Sequence, residues 1–250
     1  MLYRSLSFLI LFSLLQGCKG EIREEKTKEA DPEAISAERS QAVEEAVKPE
    51  DKPDERAIDE TTSEKKPADS INKQNAVAFL RKYGELNPET RVVIKTRLGD
   101  IRIRLYEDTP LHRASFVFLT KVGYFDTTCF YRVVPDFIIQ GGESERLDTQ
   151  RYKARYMRYK IPAEFRQNRK HKYGAVALAR DWVDNPQKKS TAFEFYIVQN
   201  RKGAHHLDGE HTVFGEVTSG FETIDRIVSL EAGSDEWPLD DVFMKVEVVN

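Results

Sequence analysis

The densest concentration of side chains that could do chemistry lies in residues 130–142, which read FYRVVPDFIIQGG. A two-residue period places Tyr131 and Arg132 on opposite sides of a strand. An arginine and a glutamine in so apolar a stretch, Arg132 and Gln140, are costly to bury unless each meets a polar target. The residues alone allow two interpretations. One is a structural arginine–carboxylate pair beside a satisfied glutamine, which this stretch by itself favours, and the other is a site that binds polar groups of a ligand.

Other reactive side chains give weaker signals. His205, His206 and His211 have no carboxylate or cysteine at a spacing that completes a metal site, so we expect loop or pocket residues and no metal. Cys129 lies in an apolar run and is expected to be a buried core thiol.

The elements that must position these residues are mostly short strands. Ile101, Ile103 and Leu105 alternate with polar residues, which is typical of a half-buried strand. Thr109 and Pro110 predict the N-cap and first residue of a helix. Strands are predicted at 91–97, 101–106, 129–134, 137–140, 174–179, 194–199, 212–216 and 242–249, and helices at 110–121 and 221–229 with a short lead-in at 76–83. Because strands and helices do not alternate, the pattern predicts a mainly β fold, a closed antiparallel barrel capped by helices.

Residues 130–142 resemble the signature of the cyclophilin family of peptidyl-prolyl cis-trans isomerases. Three further segments match that family in order: GAVALAR at 174–180, FYIV at 195–198 and LDGEHTVFG at 207–215. The resemblance covers residues 91–250. It implies an eight-stranded antiparallel barrel with a helix at each end, and an isomerase that needs no cofactor.

The resemblance also assigns site residues. Arg132 matches the family's catalytic arginine, which would stabilise the twisted transition state of an X–Pro bond. Glu194 stands at a pocket position where the family usually has glutamine, and His206 at one where many members have tryptophan. Glu194 would put a carboxylate near Arg132, which could orient the arginine or compete with the substrate for it. The remaining residues match family positions with three roles. Four match the pocket that holds the proline ring (Phe137, Ile138, Tyr196, Leu207), three match positions that hold the peptide backbone (Gln140, Ala179, Arg180), and His211 matches a histidine at the edge of the pocket.

The expected function is therefore the isomerisation of X–Pro bonds in exported proteins, with proline-containing polypeptides as partners. The alternative is a non-catalytic chaperone or scaffold that binds proline peptides on the same fold.

Residues 1–18 predict a lipoprotein-type signal peptide. Arg4 precedes an apolar run at 5–15, which is shorter than the roughly 20 residues of a spanning helix. The run LQGC that ends at Cys18 resembles a bacterial lipobox, which implies lipidation of Cys18. We expect a protein of the bacterial cell envelope, anchored by lipid to the outer membrane and facing the periplasm, with secretion into the periplasm as the alternative.

Residues 19–75 predict a charged, disordered linker. They contain 17 acidic and 11 basic residues, and no aromatic residue lies between Phe12 and Phe79. Such a segment cannot bury enough apolar surface to offset its chain entropy. A helical lead-in at 76–90 then precedes the domain at 91–250. Residues 76–250 carry 27 basic and 25 acidic residues, a nearly even balance that argues against a nucleic-acid binder. We also expect the protein to be a monomer.

One segment suggests a second function. Residues 151–160, RYKARYMRYK, interleave basic and aromatic residues as a surface for RNA, anionic glycan or an acidic partner could. We favour a solvated loop whose tyrosines pack on the barrel. Trp182 and Trp237 are expected to pack or to anchor loops rather than to contact a ligand.

Overall fold

The structure, a computed structural model, describes residues 71–156 and 158–249. The predicted signal peptide with Cys18, and residues 19–70 of the predicted linker, lie outside this range. Within it, no helix combines the length and apolar character needed to cross a membrane.

Eight antiparallel strands close into a barrel. Their bounds are β1 Arg91–Thr96, β2 Gly99–Leu105, β3 Cys129–Val134, β4 Ile138–Glu143, β6 Ala175–Leu178, β8 Phe195–Val198, β9 Val213–Ser219 and β10 Val242–Val248, while β5 Lys160–Ile161 and β7 Ser190–Thr191 form a separate two-stranded sheet. The order around the barrel is β1–β10–β3–β4–β8–β6–β9–β2, and β2 pairs back onto β1. The predicted mainly β, closed eight-stranded barrel is confirmed.

The β1–β2 hairpin shows how the alternating pattern builds this barrel. Ile101 and Ile103 are buried and lie opposite Ile94 and Val92, whereas Arg102 between them is exposed. A strand with one apolar face can place its polar residues in water only in this register, because a shift of one residue would reverse every side chain.

Within the described residues, four α-helices accompany the barrel: α1 Ala76–Leu86, α2 Pro110–Lys121, α3 Leu147–Arg155 and α4 Phe221–Val228. Helices α2 and α4 were predicted, and α1 extends three residues beyond the helix predicted at 76–83. Helix α2 supplies Phe116 to the core, where its ring lies 4.7–5.4 Å from those of Phe125, Phe195 and Phe214. These contacts join α2 to strands β8 and β9.

The start of α2 differs from the predicted N-cap. Thr109 makes no side-chain bond to the first turn of the helix. Glu164 takes that role, because its carboxylate accepts hydrogen bonds from the backbone N–H groups of Leu111 (3.2 Å) and His112 (3.0 Å) and from Nδ1 of His112 (2.6 Å). A negative charge at a helix N-terminus also suits the helix dipole.

Helix α3 was not predicted, and it replaces much of the supposed basic loop at 151–160. The residues that face inward are Thr149, Lys153 and Tyr156, at helical spacing but with two polar members, so the usual apolar stripe is missing. Beyond the helix, Tyr159 is fully buried and its hydroxyl lies 2.8 Å from Oγ of Ser115. The expectation that tyrosines of this segment pack on the barrel is confirmed, and it leaves few exposed rings for an RNA base.

Candidate active site

Eleven of the predicted site residues lie around one open cavity of about 520 Å³. Strands β3 and β4 and the turn between them supply four, the ends of β6 and β8 supply four more, and residues 206–211 supply the rest. The residues lining the cavity are Arg132, Phe137, Ile138, Gln140, Ala179, Arg180, Trp182, Glu194, Tyr196, His206, Leu207 and His211. We call this cavity the proline groove, after the ligand that the resemblance implies.

Sheet register brings these distant segments together. Gln140 of β4 lies directly opposite Tyr196 of β8, and Tyr196 lies opposite Ala177 of β6 on its other side. The three neighbouring strands therefore present one continuous wall to the groove, although Gln140 and Tyr196 are 56 positions apart in the sequence.

The apolar part of the groove is built from rigid, buried side chains. Ile138, Tyr196 and Leu207 are buried, and the half-buried ring of Phe137 stacks on His206 at 5.4 Å. A compact apolar ligand ring can be held here by contact alone, and its burial is favourable because apolar surface is removed from water.

A chain of hydrogen bonds behind the groove fixes Tyr196. The hydroxyl of Tyr196 donates to Nε2 of His171 (2.9 Å), since Nδ1 of His171 donates to Asp208 (2.9 Å). Burial raises the pKa of Tyr196 far above its usual value, so the hydroxyl keeps its proton. Sequence reasoning missed both partners: His171 lies outside the motifs that mark the groove, and Asp208 lies within the motif at 207–215 but was assigned no role.

The buried histidines make stability depend on pH. Burial is the main cause that lowers the pKa of His211 to about 4, and burial also lowers the pKa values of His112 and His171. Arg180 and His171 disfavour the charged form of His211 further, whereas its bond to the Leu178 carbonyl and the Glu210 carboxylate favour it. All three rings are therefore neutral in the folded protein near neutral pH.

We expect the free energy of unfolding to fall as pH decreases from 7 toward 4. The unfolded chain binds protons at histidine near pH 6.5 while the folded protein resists them, so acid favours unfolding. His211 alone should account for about 1–2 kcal/mol between pH 7 and pH 5. Urea unfolding of His211→Gln at both pH values should show a smaller decrease by that amount, and an equal decrease in the variant and in the unchanged protein would contradict this assignment. His205→Gln, at an exposed position, is the matched control.

Arg132 has a different carboxylate partner from the one the sequence suggested. Its Nε donates to Oε2 of Glu236 at 2.5 Å, and the arginine side chain is 33% exposed. Glu194 lines the same groove, but its carboxylate accepts from the hydroxyl of Tyr131 (3.0 Å) and lies 3.6 Å from Nζ of Lys153. The alternative in which Glu194 orients Arg132 is therefore corrected, because the carboxylate bonded to the arginine is that of Glu236.

Glu194 belongs instead to a chain of bonds that holds Gln140. Nε2 of Gln140 donates to the hydroxyl of Tyr131, and that hydroxyl donates to Glu194. Burial and the nearby Glu194 raise the pKa of Tyr131, which keeps the hydroxyl protonated. Lys153 of α3, itself buried, pairs with Glu143 and lies close to Glu194. Helix α3 thus supports the polar half of the groove.

The position of Trp182 differs from the prediction that it packs or anchors a loop without contacting a ligand. Rather than packing inside a loop, its ring lines the groove while 64% exposed. The guanidinium of Arg180 lies 4.0 Å from the ring centroid, and the ring of His211 approaches edge-on at 5.3 Å. Nη2 of Arg180 donates to Glu210 (2.7 Å), which fixes the arginine beneath the tryptophan. Trp182 therefore adds an aromatic outer wall to the groove.

The positions of Cys129 and Trp237 agree with the sequence analysis. Cys129 is fully buried and unpaired, and burial raises its thiol pKa to about 12, so the prediction of a core thiol is confirmed. Trp237 packs against Tyr131 with ring centroids 5.5 Å apart, as expected of a loop anchor.

Comparison with known proteins identifies the family of the chain. The family model described as cyclophilin type peptidyl-prolyl cis-trans isomerase matches residues 91–248. The chain is 32% identical over 162 residues to peptidyl-prolyl cis-trans isomerase-like 1 of Gibberella zeae, which covers 64% of this chain and 95% of that protein. It is 34% identical over 154 residues to the spliceosome-associated protein CWC27 homolog of Xenopus laevis, covering 60% of this chain and 30% of that protein.

A solved structure shares the fold. It is that of a cyclophilin type peptidyl-prolyl cis-trans isomerase of Cryptosporidium parvum, determined in the presence of the dipeptide Ala-Pro. The TM-score is 0.52 at 22% identity, over 64% of this chain and 99% of that one.

Proposed function

The chain belongs to the cyclophilin-type peptidyl-prolyl cis-trans isomerase family, and from that membership we propose that it accelerates isomerisation of X–Pro bonds in exported proteins, with Arg132 stabilising the twisted transition state. The observation that carries the proposal is the position of Arg132, a partly exposed guanidinium on the wall of a groove whose other half is apolar.

The chemistry requires only binding and hydrogen bonding. An X–Pro bond isomerises over a barrier of about 18–20 kcal/mol, because rotation breaks the resonance of the amide. In the twisted state the proline nitrogen becomes pyramidal and regains a lone pair. A guanidinium that donates to this nitrogen binds the twisted state more tightly than either planar state, which lowers the barrier. The apolar half of the groove holds the ring while the preceding carbonyl turns.

A second candidate function is a proline-peptide-binding chaperone or scaffold without turnover. The observation that favours it is the Arg132–Glu236 ion pair, since a guanidinium already held by a carboxylate has less capacity for a substrate. Measuring both binding and isomerisation of one short X–Pro peptide by exchange NMR separates the two functions. Fast exchange supports the enzyme, and binding without acceleration supports the chaperone.

We also propose that the protein acts at the cell envelope, anchored through Cys18. The LQGC run at the end of an apolar leader supports this proposal. More than one acyl chain on such a cysteine would give the stable anchoring that a single chain does not.

Replacing the lipidated thiol tests the anchor. In Cys18→Ser expressed in a bacterial host that processes lipoproteins, we expect the protein to move from the membrane fraction to the soluble fraction. Cys129→Ser is the matched control, because its thiol is buried within the barrel domain. Continued membrane retention of Cys18→Ser would contradict the lipid anchor.

A further inference from the structure

The loop at 233–237 is attached to the segment of β3 that carries Arg132. The ring of Trp237 packs on Tyr131 at 5.5 Å, the carboxylate of Glu236 bonds Nε of Arg132 at 2.5 Å, and the backbone carbonyl of Glu236 accepts from the N–H of Val133 at 2.9 Å. Three consecutive residues of the strand are thus held by two consecutive residues of the loop.

The backbone of this loop is constrained at Glu236 itself. Its φ of 65° lies in the left-handed region, which is uncommon for a residue with a β-carbon. Two hydrogen bonds close the turn around it, from the N–H of Glu236 to the carbonyl of Gly233 (3.0 Å) and from the N–H of Gly233 to the carbonyl of Trp237 (2.8 Å). A conformation that costs energy persists only where surrounding contacts enforce it, and such residues concentrate at functional sites.

The contact with Arg132 uses one edge of the guanidinium. Glu236 accepts from Nε, and within the described part of the chain no hydrogen bond reaches either terminal nitrogen of Arg132. A carboxylate at Nε therefore fixes the plane of the guanidinium while its terminal N–H groups stay available to a ligand in the groove.

We propose that Glu236 is a positioning residue for isomerisation, one that holds Arg132 in the orientation that meets the proline nitrogen in the twisted state. The inference rests on the proposed catalytic role of Arg132. An arginine side chain has several rotatable bonds, so a guanidinium fixed in advance loses less entropy when the transition state forms. Glu236 then acts on turnover rather than on substrate binding, which depends chiefly on the apolar half of the groove.

The test compares Glu236→Ala with Glu236→Gln in the full chain. We expect alanine to lower kcat about tenfold with KM changed less than about twofold, because the guanidinium is no longer fixed. Glutamine should recover most of kcat, since its carbonyl oxygen can still accept from Nε. Asp240→Asn is the matched control: it removes an acidic side chain nearby in the sequence whose partner is Arg97, at 2.5 Å, and should leave kcat unchanged.

A second pair of measurements separates this proposal from the proposed function. In the Arg132→Ala background, Glu236→Ala should cause no further loss, because the residue acts through the arginine. The NMR signal of the Arg132 Nε–H should exchange slowly with water in the unchanged protein and fast in Glu236→Ala, a result that needs no turnover.

Undiminished or increased kcat in Glu236→Ala, or an equal further loss in the Arg132→Ala background, would overturn the positioning role. Failure of the proposed function, in which Arg132 is catalytic, would instead appear as an unchanged rate in Arg132→Ala.

Discussion

Arg132→Ala is expected to lower kcat/KM for a short X–Pro peptide by about 10²–10³-fold, the usual effect of removing one donor that stabilises charge or a lone pair in a transition state. The apolar residues of the groove remain, so peptide binding should weaken far less than turnover. Exchange NMR on a single peptide gives both quantities, because it reports the rate of interconversion and the bound fraction together.

Two companion variants define what the arginine contributes. Arg132→Lys keeps the positive charge but loses the planar fork of donors, and we expect it to recover little of the rate. Arg102→Ala removes an exposed arginine from the outer face of β2 and should leave the rate unchanged. A rate for Arg132→Ala equal to that of the unchanged protein would rule out the proposed mechanism.

The same substitution should leave the fold intact. The Arg132–Glu236 pair is partly exposed on both sides, and ion pairs of this kind contribute at most about 1 kcal/mol to stability. An unfolding midpoint close to that of the unchanged protein would show that the lost rate reflects chemistry rather than unfolding.

Gly142→Ala should strongly reduce stability. Gly142 lies near the end of β4 with φ of 101°, and a β-carbon there would collide with the backbone carbonyl oxygen of Phe193 and lie 3.1 Å from Cα of Glu194. Neither group is the movable end of a side chain, so the strands themselves must separate. We expect a loss of about 3–5 kcal/mol in the free energy of unfolding, from the backbone conformation and the overlap together.

Gly209 provides a matched control, because it isolates the effect of crowding. Its φ of 75° is also left-handed, but a β-carbon there would have no atom within 4 Å. Gly209→Ala should therefore cost only the conformational part, about 1–2 kcal/mol. Urea unfolding of both variants measures the difference, and equal losses would show that the close approach of β4 to residues 193–194 is unimportant.

The barrel was readable from the sequence because its strands have simple patterns. Ile101, Ile103 and Leu105 alternate with exposed arginines, and the apolar runs of β6 and β8 are short and bounded. Helix α3 was not predicted because Thr149 and Lys153 occupy inward positions that apolar residues usually take. The pattern carries no signal when the buried face of a helix is polar and its partners lie outside that helix, as Glu143 and Ser144 do here.

The candidate site was only partly readable for a related reason. Motifs mark the residues that face the groove, but they do not show which side chains hold them. Glu236 lies 104 residues from Arg132, and His171 lies 25 residues from Tyr196, so only the fold reveals either contact. Trp182 likewise follows a motif without belonging to it, and its place on the groove depends on the path of the loop after β6.

Closure of the barrel limits where another polypeptide could pair with its backbone. An unpaired strand edge offers backbone donors and acceptors to any extended polypeptide, and it is the usual route to aggregation. Each of the eight barrel strands has a neighbour on both sides, and the two strands outside the barrel are two residues long. An extended polypeptide therefore finds almost no place within the described domain to add a strand.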